Sequence, residues 1–217
     1  MLLIMKVKRK RGRPSGEKAA NREDILKVAL SEFALKGYEG VSMTGIAKAA
    51  NTSDSLLYYY FKNKESLWKE AVSARLEELN TKLLQTELLF KDLDGISILK
   101  VILRQFIYFA AENVDFNKVA FTEMVNRSER AKWMTETLFR PIHDLATSVL
   151  KEGQEKGEIK PIPLPNLVSI IIGAATTFFS HAYKMELLYG IDPTSKEEIE
   201  KHADVVNELI FSNLSNK

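Results

Sequence analysis

Polar and aromatic side chains with the chemistry to contact DNA are concentrated in residues 42–64. If residues 54–61 form a helix, Leu57 and Phe61 lie four positions apart on one face and pack inward. The same geometry leaves the opposite face to four other residues: Asp54, Ser55, Tyr58 and Tyr59. A short helix with such an outer face suits the reading of base edges in the major groove. A helical hairpin inside an all-α protein, with no role in DNA binding, is the alternative.

A second short helix and a tight turn must position this face. Ser42 is a good N-cap, and Ile46 and Ala50 follow it at helical spacing. Residues 51–53, Asn-Thr-Ser, favour a turn, and Ser53 can cap the helix that follows. The turn, the caps and the basic flank agree, so we predict a helix-turn-helix.

A longer series of residues carries a family resemblance. In order, it contains Arg22, Ile25, Leu26, Ala29, Phe33, Gly37, Tyr38, Ser42, Ile46, Ala47, Ala50, Ser53, Leu57, Tyr58, Tyr60, Phe61, Lys64, Glu65 and Leu67. This series spans about the first third of the chain and resembles the TetR family of bacterial transcription regulators. Asn51 and Ser55 replace glycines that are usual in the family, and Gly45 replaces a common acidic residue. Asparagine tolerates a left-handed backbone, so the turn should survive.

The resemblance implies a set of DNA contacts. The tyrosines at positions 58–60 and Lys64 match positions that contact DNA in the family, and their hydroxyl and ammonium groups suit phosphate oxygens. Base edges would be read within residues 52–56, where Asp54 suits a cytosine amino group and Leu56 a thymine methyl. The expected set in the helix-turn-helix is Ser42, Thr52, Ser53, Asp54, Ser55, Leu56, Tyr58, Tyr59, Tyr60 and Lys64.

Positive charge is concentrated at the N-terminus. Residues 1–20 contain seven Lys or Arg and one acidic residue, whereas the whole chain has a formal net charge of +2. Such an arm suits a polyanion. Arg11 and Arg13 flank Gly12 as in the core of an AT-hook, which places two guanidinium groups in a narrow minor groove. A disordered arm that binds phosphates without sequence preference is an equal alternative.

Composition argues for an ordinary globular protein of the reducing cytoplasm. The 217 residues are 45% hydrophobic and include no cysteine. No apolar run approaches the roughly 18 residues that span a bilayer, so we expect no membrane partner. Zinc-protease, phosphate-loop and dinucleotide motifs are absent, and the three histidines are scattered. We therefore expect no enzymatic activity, no metal and no cofactor.

Helical periodicity predicts an all-α protein of about nine helices. Beyond the helix-turn-helix, the expected helices are 22–36, a long one that begins after Asn63, 96–113, 116–126, 132–156, 166–189 and 196–213. Pro141 should bend or start its helix, and the proline-rich residues 160–165 should form a connector. We predict a basic disordered arm at 1–20, a helix-turn-helix domain at 21–66, and an effector-binding and dimerisation domain at 67–217. The long helix could act as a lever between the last two.

The predicted helix 166–189 is apolar on nearly every side and must be buried on every side. Its own domain can cover one side, and a second copy of the chain could cover the other; a deep monomer core is the alternative. In proteins that the chain resembles, the last two helices of two chains form a four-helix bundle. The expected interface contains Ile171, Ala174, Ala175, Phe178, Val206 and Ile210.

Large soft side chains are frequent between residues 106 and 183, where they serve first as core. The resemblance adds that such regulators hold an effector pocket among these helices. The expected lining is Phe106, Phe109, Phe121, Glu123, Met124, Trp133, His143 and Phe178. We therefore predict a ligand-responsive repressor that binds a palindromic double-stranded operator as a homodimer and is released by a small hydrophobic effector. A constitutive, architectural DNA-binding protein without effector is the alternative.

Overall fold

The computed structural model describes residues 21–89 and 95–214, and these form helices joined by short loops. The N-terminal helices are α1 Arg22–Lys36, α2 Met43–Ala49, α3 Asp54–Tyr60 and α4 Lys64–Leu89. The others are α5 Gly95–Glu112, α6 Val114–Asn126, α7 Glu129–Met134, a π-helical stretch Thr135–Phe139, α8 Arg140–Glu155, α9 Leu164–Ser180, α10 Ala182–Tyr189 and α11 Lys196–Leu214. The predicted all-α class is confirmed.

Local signals fix the ends of α1 as the sequence predicts. The Asn21 side chain accepts from the Asp24 backbone N–H at 2.8 Å, and the Asp24 side chain accepts from the Asn21 N–H in return. This capping box satisfies backbone donors that the first helical turn leaves unpaired. Gly37 ends the helix at a φ of 70°, a conformation that glycine adopts without steric cost.

Two hydrophobic clusters make up the core. The first contains the buried faces of α1 to α4 and continues into the next helices through Phe109, Phe116, Val119 and Met134. The second joins α5 to α8, α9 and α11, with Ile107 and Phe179 fully buried. The first cluster continues past residue 66, because α1 packs against α4 and α6. The three N-terminal helices therefore share their core with the rest of the chain.

Three expectations about helix boundaries need correction. The predicted 132–156 helix begins earlier, at Glu129, and widens just before Pro141, where the Arg140 N–H donates to the Thr135 carbonyl five residues back. Proline lacks an N–H and crowds the preceding turn, which explains a widened turn at this point. The expected connector 160–165 ends sooner, because α9 starts at Leu164 with Pro165 in its first turn, where no donor is needed.

The predicted 166–189 helix is two helices. The backbone breaks at His181, with φ −108° and ψ 32°, and the axes of α9 and α10 differ by 68°. α10 contains no buried residue, so no packing against the core holds it in line with α9.

Candidate nucleic-acid interface

Capping bonds and one left-handed residue set the angle between α2 and α3. The Ser42 hydroxyl accepts from the Gly45 N–H at 3.0 Å, and the Ser53 hydroxyl accepts from the Leu56 N–H at 3.2 Å. Asn51 has a φ of 49°, the left-handed conformation that asparagine tolerates. The Thr52 N–H closes the turn on the Ala47 carbonyl at 2.9 Å. Both predicted caps and the predicted turn are confirmed.

α3 has the two-faced character that its sequence predicts. Leu57 and Phe61 are buried in the first hydrophobic cluster and hold the helix down. Four side chains of the opposite face are exposed: Asp54, Ser55, Tyr58 and Tyr59. The aromatic rings of Tyr59 and the half-buried Tyr60 meet edge to face at 5.3 Å. A polar and aromatic surface of one short helix is thus presented to solvent.

The remaining predicted DNA contacts have mixed environments. Ser42 and Ser53 are exposed, and their hydroxyls serve as caps. The Thr52 hydroxyl oxygen is buried and has no hydrogen-bond partner among the described residues, so it does not face solvent in this arrangement. Leu56 is half-buried. Arg11 and Arg13 lie outside the described residues.

Lys64 is bound to the loop between α1 and α2. Its Nζ donates to the carbonyl oxygens of Tyr38 at 3.0 Å and Val41 at 3.1 Å. The same ammonium lies 4.2 Å from the centroid of the Tyr38 ring. Lys64 therefore fastens the start of α4 to the loop that precedes α2.

Sequence reasoning passed over three exposed polar residues near α3. The Thr44 hydroxyl donates to the Asp54 carboxylate at 3.4 Å, which places Thr44 beside the N-terminus of α3. Lys48 follows Thr44 by one helical turn, and Lys62 lies two residues past the end of α3. A basic residue on either side of the predicted reading helix was the available signal.

The residues expected to line an effector pocket are spread over different parts of the structure. Phe109 is buried against Phe116, with ring centroids 5.6 Å apart, and the Trp133 ring meets Trp68 at 5.8 Å. Phe106 contacts both hydrophobic clusters, whereas Phe178 belongs to the second. Phe121 is 72% exposed, and Met124 and His143 are also on the outer surface.

Glu123, which was expected to line the effector pocket, is instead bound to residues of its own chain. Its Oε1 accepts from Arg130 Nε at 2.9 Å, and its other oxygen accepts from the Ser128 hydroxyl. Both carboxylate oxygens are therefore occupied by the fold.

Two residues of the expected dimer interface are buried within their own chain. Ala175 is 0% and Val206 is 5% exposed, because both pack in the second hydrophobic cluster. Ile171, Ala174, Phe178 and Ile210 are half-buried at its edge. The outer face of α9 is formed instead by small residues beside two isoleucines: Ser169, Gly173, Thr176, Thr177 and Ser180, with Ile170 and Ile172. α11 adds an exposed ridge of Val205 and Leu209, one turn apart.

A metal centre and a bilayer-spanning helix are two further features that residues 21–89 and 95–214 could contain. In these ranges, no three His, Asp or Glu side chains come together in a way that could hold a metal ion. No single helix there has the length and apolar composition of a bilayer span, although α9 and the bent α10 reach them as a pair.

Comparison with protein families decides the relationship. The family described as bacterial regulatory proteins, tetR family, matches residues 25–71, which contain α2, the turn and α3. The tetracyclin repressor-like C-terminal domain matches residues 97–210. The chain belongs to the TetR family. TetR proteins are transcription regulators that bind DNA and small molecules, usually as dimers.

Two curated HTH-type transcriptional regulators are similar in sequence to this chain. IcaR of Staphylococcus aureus, described as a negative transcriptional regulator of the biofilm operon icaADBC, is 27% identical over 131 residues. That alignment covers 60% of this chain and 66% of IcaR, slightly less than two thirds of its length. YhgD of Bacillus subtilis, an HTH-type transcriptional regulator, is 27% identical over 156 residues, which are 68% of this chain and 76% of YhgD.

Solved structures share the fold over nearly the whole chain. The ketosteroid transcriptional regulator KstR2 of Mycobacterium tuberculosis superposes with a TM-score of 0.73 at 15% identity, covering 94% of this chain and 100% of KstR2. A Clostridium perfringens protein described as a candidate fatty acid metabolism regulator has a TM-score of 0.70 at 24% identity, covering 89% and 100%. At these identities the likeness concerns the fold alone.

Proposed function

We propose that this TetR-family chain is a repressor that binds a palindromic operator in double-stranded DNA as a homodimer and leaves it when a small hydrophobic effector binds. The observation that carries the proposal is the outer face of α3, where Asp54, Ser55, Tyr58 and Tyr59 are exposed above the buried Leu57 and Phe61. A capped helix that is anchored by its buried face and exposes a polar face can enter a major groove without disturbing the protein core.

Each exposed group has a definite task in this proposal. The hydroxyls of Tyr58 and Tyr59 donate to phosphate oxygens and set the register of the protein on the duplex. Lys64 has three ammonium protons, of which two go to carbonyl oxygens, so one remains to reach a phosphate. Asp54, at the N-terminus of α3, accepts from a cytosine amino group and supplies sequence preference.

The dimer would form through the outer faces of α9 and α11. Small side chains on α9 let a second backbone approach closely, and the exposed Val205 and Leu209 add apolar area beside it. α10 exposes four large apolar residues that would extend this interface: Tyr183, Leu187, Leu188 and Tyr189. Exposed apolar surface of this extent is typical of an interaction site.

The effector would bind beside Phe106, between the two hydrophobic clusters. Phe106 is half-buried and packs against both of them, so a ligand there would press on the helices that carry α3 and on those of the proposed dimer face. Linkage requires that such a ligand and the operator weaken each other's binding by the same factor. Calorimetric titration of a hydrophobic ligand, found by thermal-shift screening, measures this factor with and without operator. Identical affinities would favour the architectural alternative.

The DNA-binding proposal is tested by selecting duplexes from a randomised pool with the wild-type protein. We expect a palindromic sequence, and we expect Tyr59→Ala to bind it at least roughly a hundredfold more weakly, since a charge-assisted hydrogen bond contributes about 1.5–3 kcal/mol and the homodimer loses one at each half-site. Phe121→Ala is the matched control, because Phe121 is an equally exposed aromatic residue on α6, at 72% against 79% for Tyr59. Selection of no sequence, or equal binding by both variants, would contradict the assignment.

A further inference from the structure

An ionic and aromatic cluster lies where the α1–α2 loop meets the corner between α6 and α7. The guanidinium carbon of Arg130 lies 3.6 Å from the centroid of the Tyr38 ring, and Arg130 Nε donates to Glu123 at 2.9 Å. Lys64 Nζ lies 4.2 Å from the same ring centroid. Glu39 approaches Arg130 at 3.8 Å and Lys64 at 3.9 Å. We refer to Tyr38, Glu39, Lys64, Glu123 and Arg130 as the junction cluster.

Burial separates the strong contacts of the junction cluster from the weak ones. The side chain of Glu123 is 7% exposed and that of Arg130 is 21% exposed, so solvent screens their ion pair little. Glu39 is 84% exposed, and its pairing with either cation contributes little. Arg130 is therefore held from one side by Glu123 and from the other by the Tyr38 ring. A guanidinium is planar and presents its donors in a rigid fork, so it can face the ring while Nε donates to the carboxylate, a fixed geometry that a flexible lysine ammonium does not reproduce.

The corner that carries Arg130 is itself well fixed. Arg127 ends α6 in the left-handed conformation, with a φ of 51°. The Ser128 hydroxyl donates to Glu123 and accepts from the Ala131 N–H at 3.0 Å, which caps α7. The position of Arg130 thus follows the position of α6 and α7.

The other side of the cluster leads to α3. Tyr38 supplies both the ring under Arg130 and a carbonyl oxygen for Lys64, at 3.0 Å. Lys64 is the first residue of α4 and follows by three positions Phe61, the buried residue that caps the C-terminus of α3. A displacement of the α6–α7 corner would therefore be transmitted through Tyr38 and Lys64 to the base of α3 without passing along α4.

We propose that Arg130 is a positioning residue for operator binding: it holds α2 and α3 in the DNA-competent orientation through Tyr38 and Lys64. The inference rests on the proposed function as a DNA-binding repressor. It adds a polar connection between the C-terminal helices and the reading helix, beside α4 and the packing of α1 on α6. Loss of Arg130 lowers the fraction of molecules in the DNA-competent orientation. Operator affinity therefore falls although no DNA contact is removed.

The test uses two variants of the full chain and one control. Glu123→Gln/Arg130→Gln removes both charges together, so no buried carboxylate is left unpaired. Arg130→Lys keeps the charge and loses the stacked geometry. The control is Glu136→Gln/Arg140→Gln, which removes an exposed ion pair with bonds of 2.8 and 2.7 Å where the π-helical stretch meets α8. Operator affinity is measured by fluorescence anisotropy over a salt series, on the palindromic duplex selected by the wild-type chain.

We expect the Glu123/Arg130 double variant to bind the operator roughly tenfold more weakly, a change within the range usual for coupled sites. The affinity of Arg130→Lys should be intermediate, and that of the control should equal the wild type. The slope of log affinity against log salt should not change. A slope lower by about 1.8, which is about 0.9 for each of the two chains, would mean that Arg130 contacts a phosphate directly and would overturn the proposal. A lower melting temperature with unchanged affinity would leave Arg130 a purely structural role and would overturn it as well.

A measurement without DNA separates this inference from the proposed function. The two tryptophans of the chain, Trp68 and Trp133, both lie beside the junction cluster, with Trp68 6.3 Å from the Tyr38 ring centroid. In the Glu123/Arg130 double variant we expect a shifted tryptophan emission and stronger acrylamide quenching than in the control. Unchanged fluorescence would refute the junction. Failure of the wild type to select any duplex would refute the DNA-binding function. The fluorescence measurement would still test the junction cluster, because it needs no DNA.

Discussion

The ring of His202 is packed between α9 and α11. Its imidazole stacks on the Phe178 ring with centroids 4.4 Å apart and an interplanar angle of 9°. Its Nε2 lies 2.8 Å from the Ala174 carbonyl oxygen. A carbonyl oxygen can only accept, so Nε2 carries a proton and donates. Burial lowers the pKa of His202 below its usual value, because the charged form loses more hydration than the neutral form. The packing of α11 on α9 therefore favours the deprotonated ring.

This lowered pKa predicts a loss of stability in acid. The unfolded chain binds a proton at His202 near pH 6.5, and the folded chain does so only at lower pH, so the free energy of unfolding falls as pH falls below about 6.5. Thermal unfolding between pH 7.5 and 5.5 should show a steeper decline for the wild type than for His202→Gln, which keeps a side-chain donor but does not titrate. Parallel declines would show that His202 is not responsible.

At the scale of elements, the outer face of α9 is built for close approach. Its small side chains at 169, 173, 176, 177 and 180 share one side of the helix, turned away from the buried Ala175 and Phe179. A Cβ added at Gly173 would meet no atom of another helix within 4 Å in the described part of the chain. The described packing of the single chain therefore leaves room for a side chain at position 173.

Gly173→Leu should dissociate the dimer and leave the single chain stable. Glycine is about 0.8–1 kcal/mol less favourable in a helix than alanine, and leucine ranks just below alanine, so the protomer gains rather than loses helix stability, while the added side chain blocks a second backbone. Sedimentation velocity at micromolar concentration should show a dimer for the wild type and a monomer for Gly173→Leu. Ser148→Leu, on the exposed side of α8, adds a leucine elsewhere and should remain dimeric. An unchanged dimer in Gly173→Leu would place the interface on another surface.

The elements also show which features a sequence can reveal. The bounds of α1 and the caps at Ser42 and Ser53 depend on bonds between residues three or four apart, so local sequence predicts them. The break at His181 was missed, since no glycine or proline marks it and the surrounding residues read as one apolar helix. Glu123 was expected to contact a ligand, but it is paired with Arg130. Helical periodicity could not reveal this pair, because a turn separates the two residues.

At the scale of the whole molecule, the reading unit formed by α1 to α3 is joined to the C-terminal helices through α4 and the junction cluster, in addition to the packing of α1 on α6. α4 continues directly from the base of α3, and the junction cluster connects the α1–α2 loop to α6 and α7. The first hydrophobic cluster spans both connections. Two reading units in a dimer would therefore be held at a fixed separation by the packing of the C-terminal helices.

A fixed separation predicts a strict dependence on the spacing of operator half-sites. Two recognition helices enter successive major grooves when they are about 34–36 Å apart, one turn of B-DNA. Inserting 5 base pairs between the half-sites turns one of them to the opposite side of the duplex by roughly half a turn of about 10.5 base pairs. We expect wild-type affinity to fall to that of a single half-site, a loss of roughly a hundredfold or more, because the second contact no longer benefits from the effective concentration that linkage provides. The monomeric Gly173→Leu variant engages one half-site at a time, so the same insertion should leave its affinity unchanged. If the wild type bound both spacings equally, its reading units would move independently, and neither α4 nor the junction cluster could control their separation.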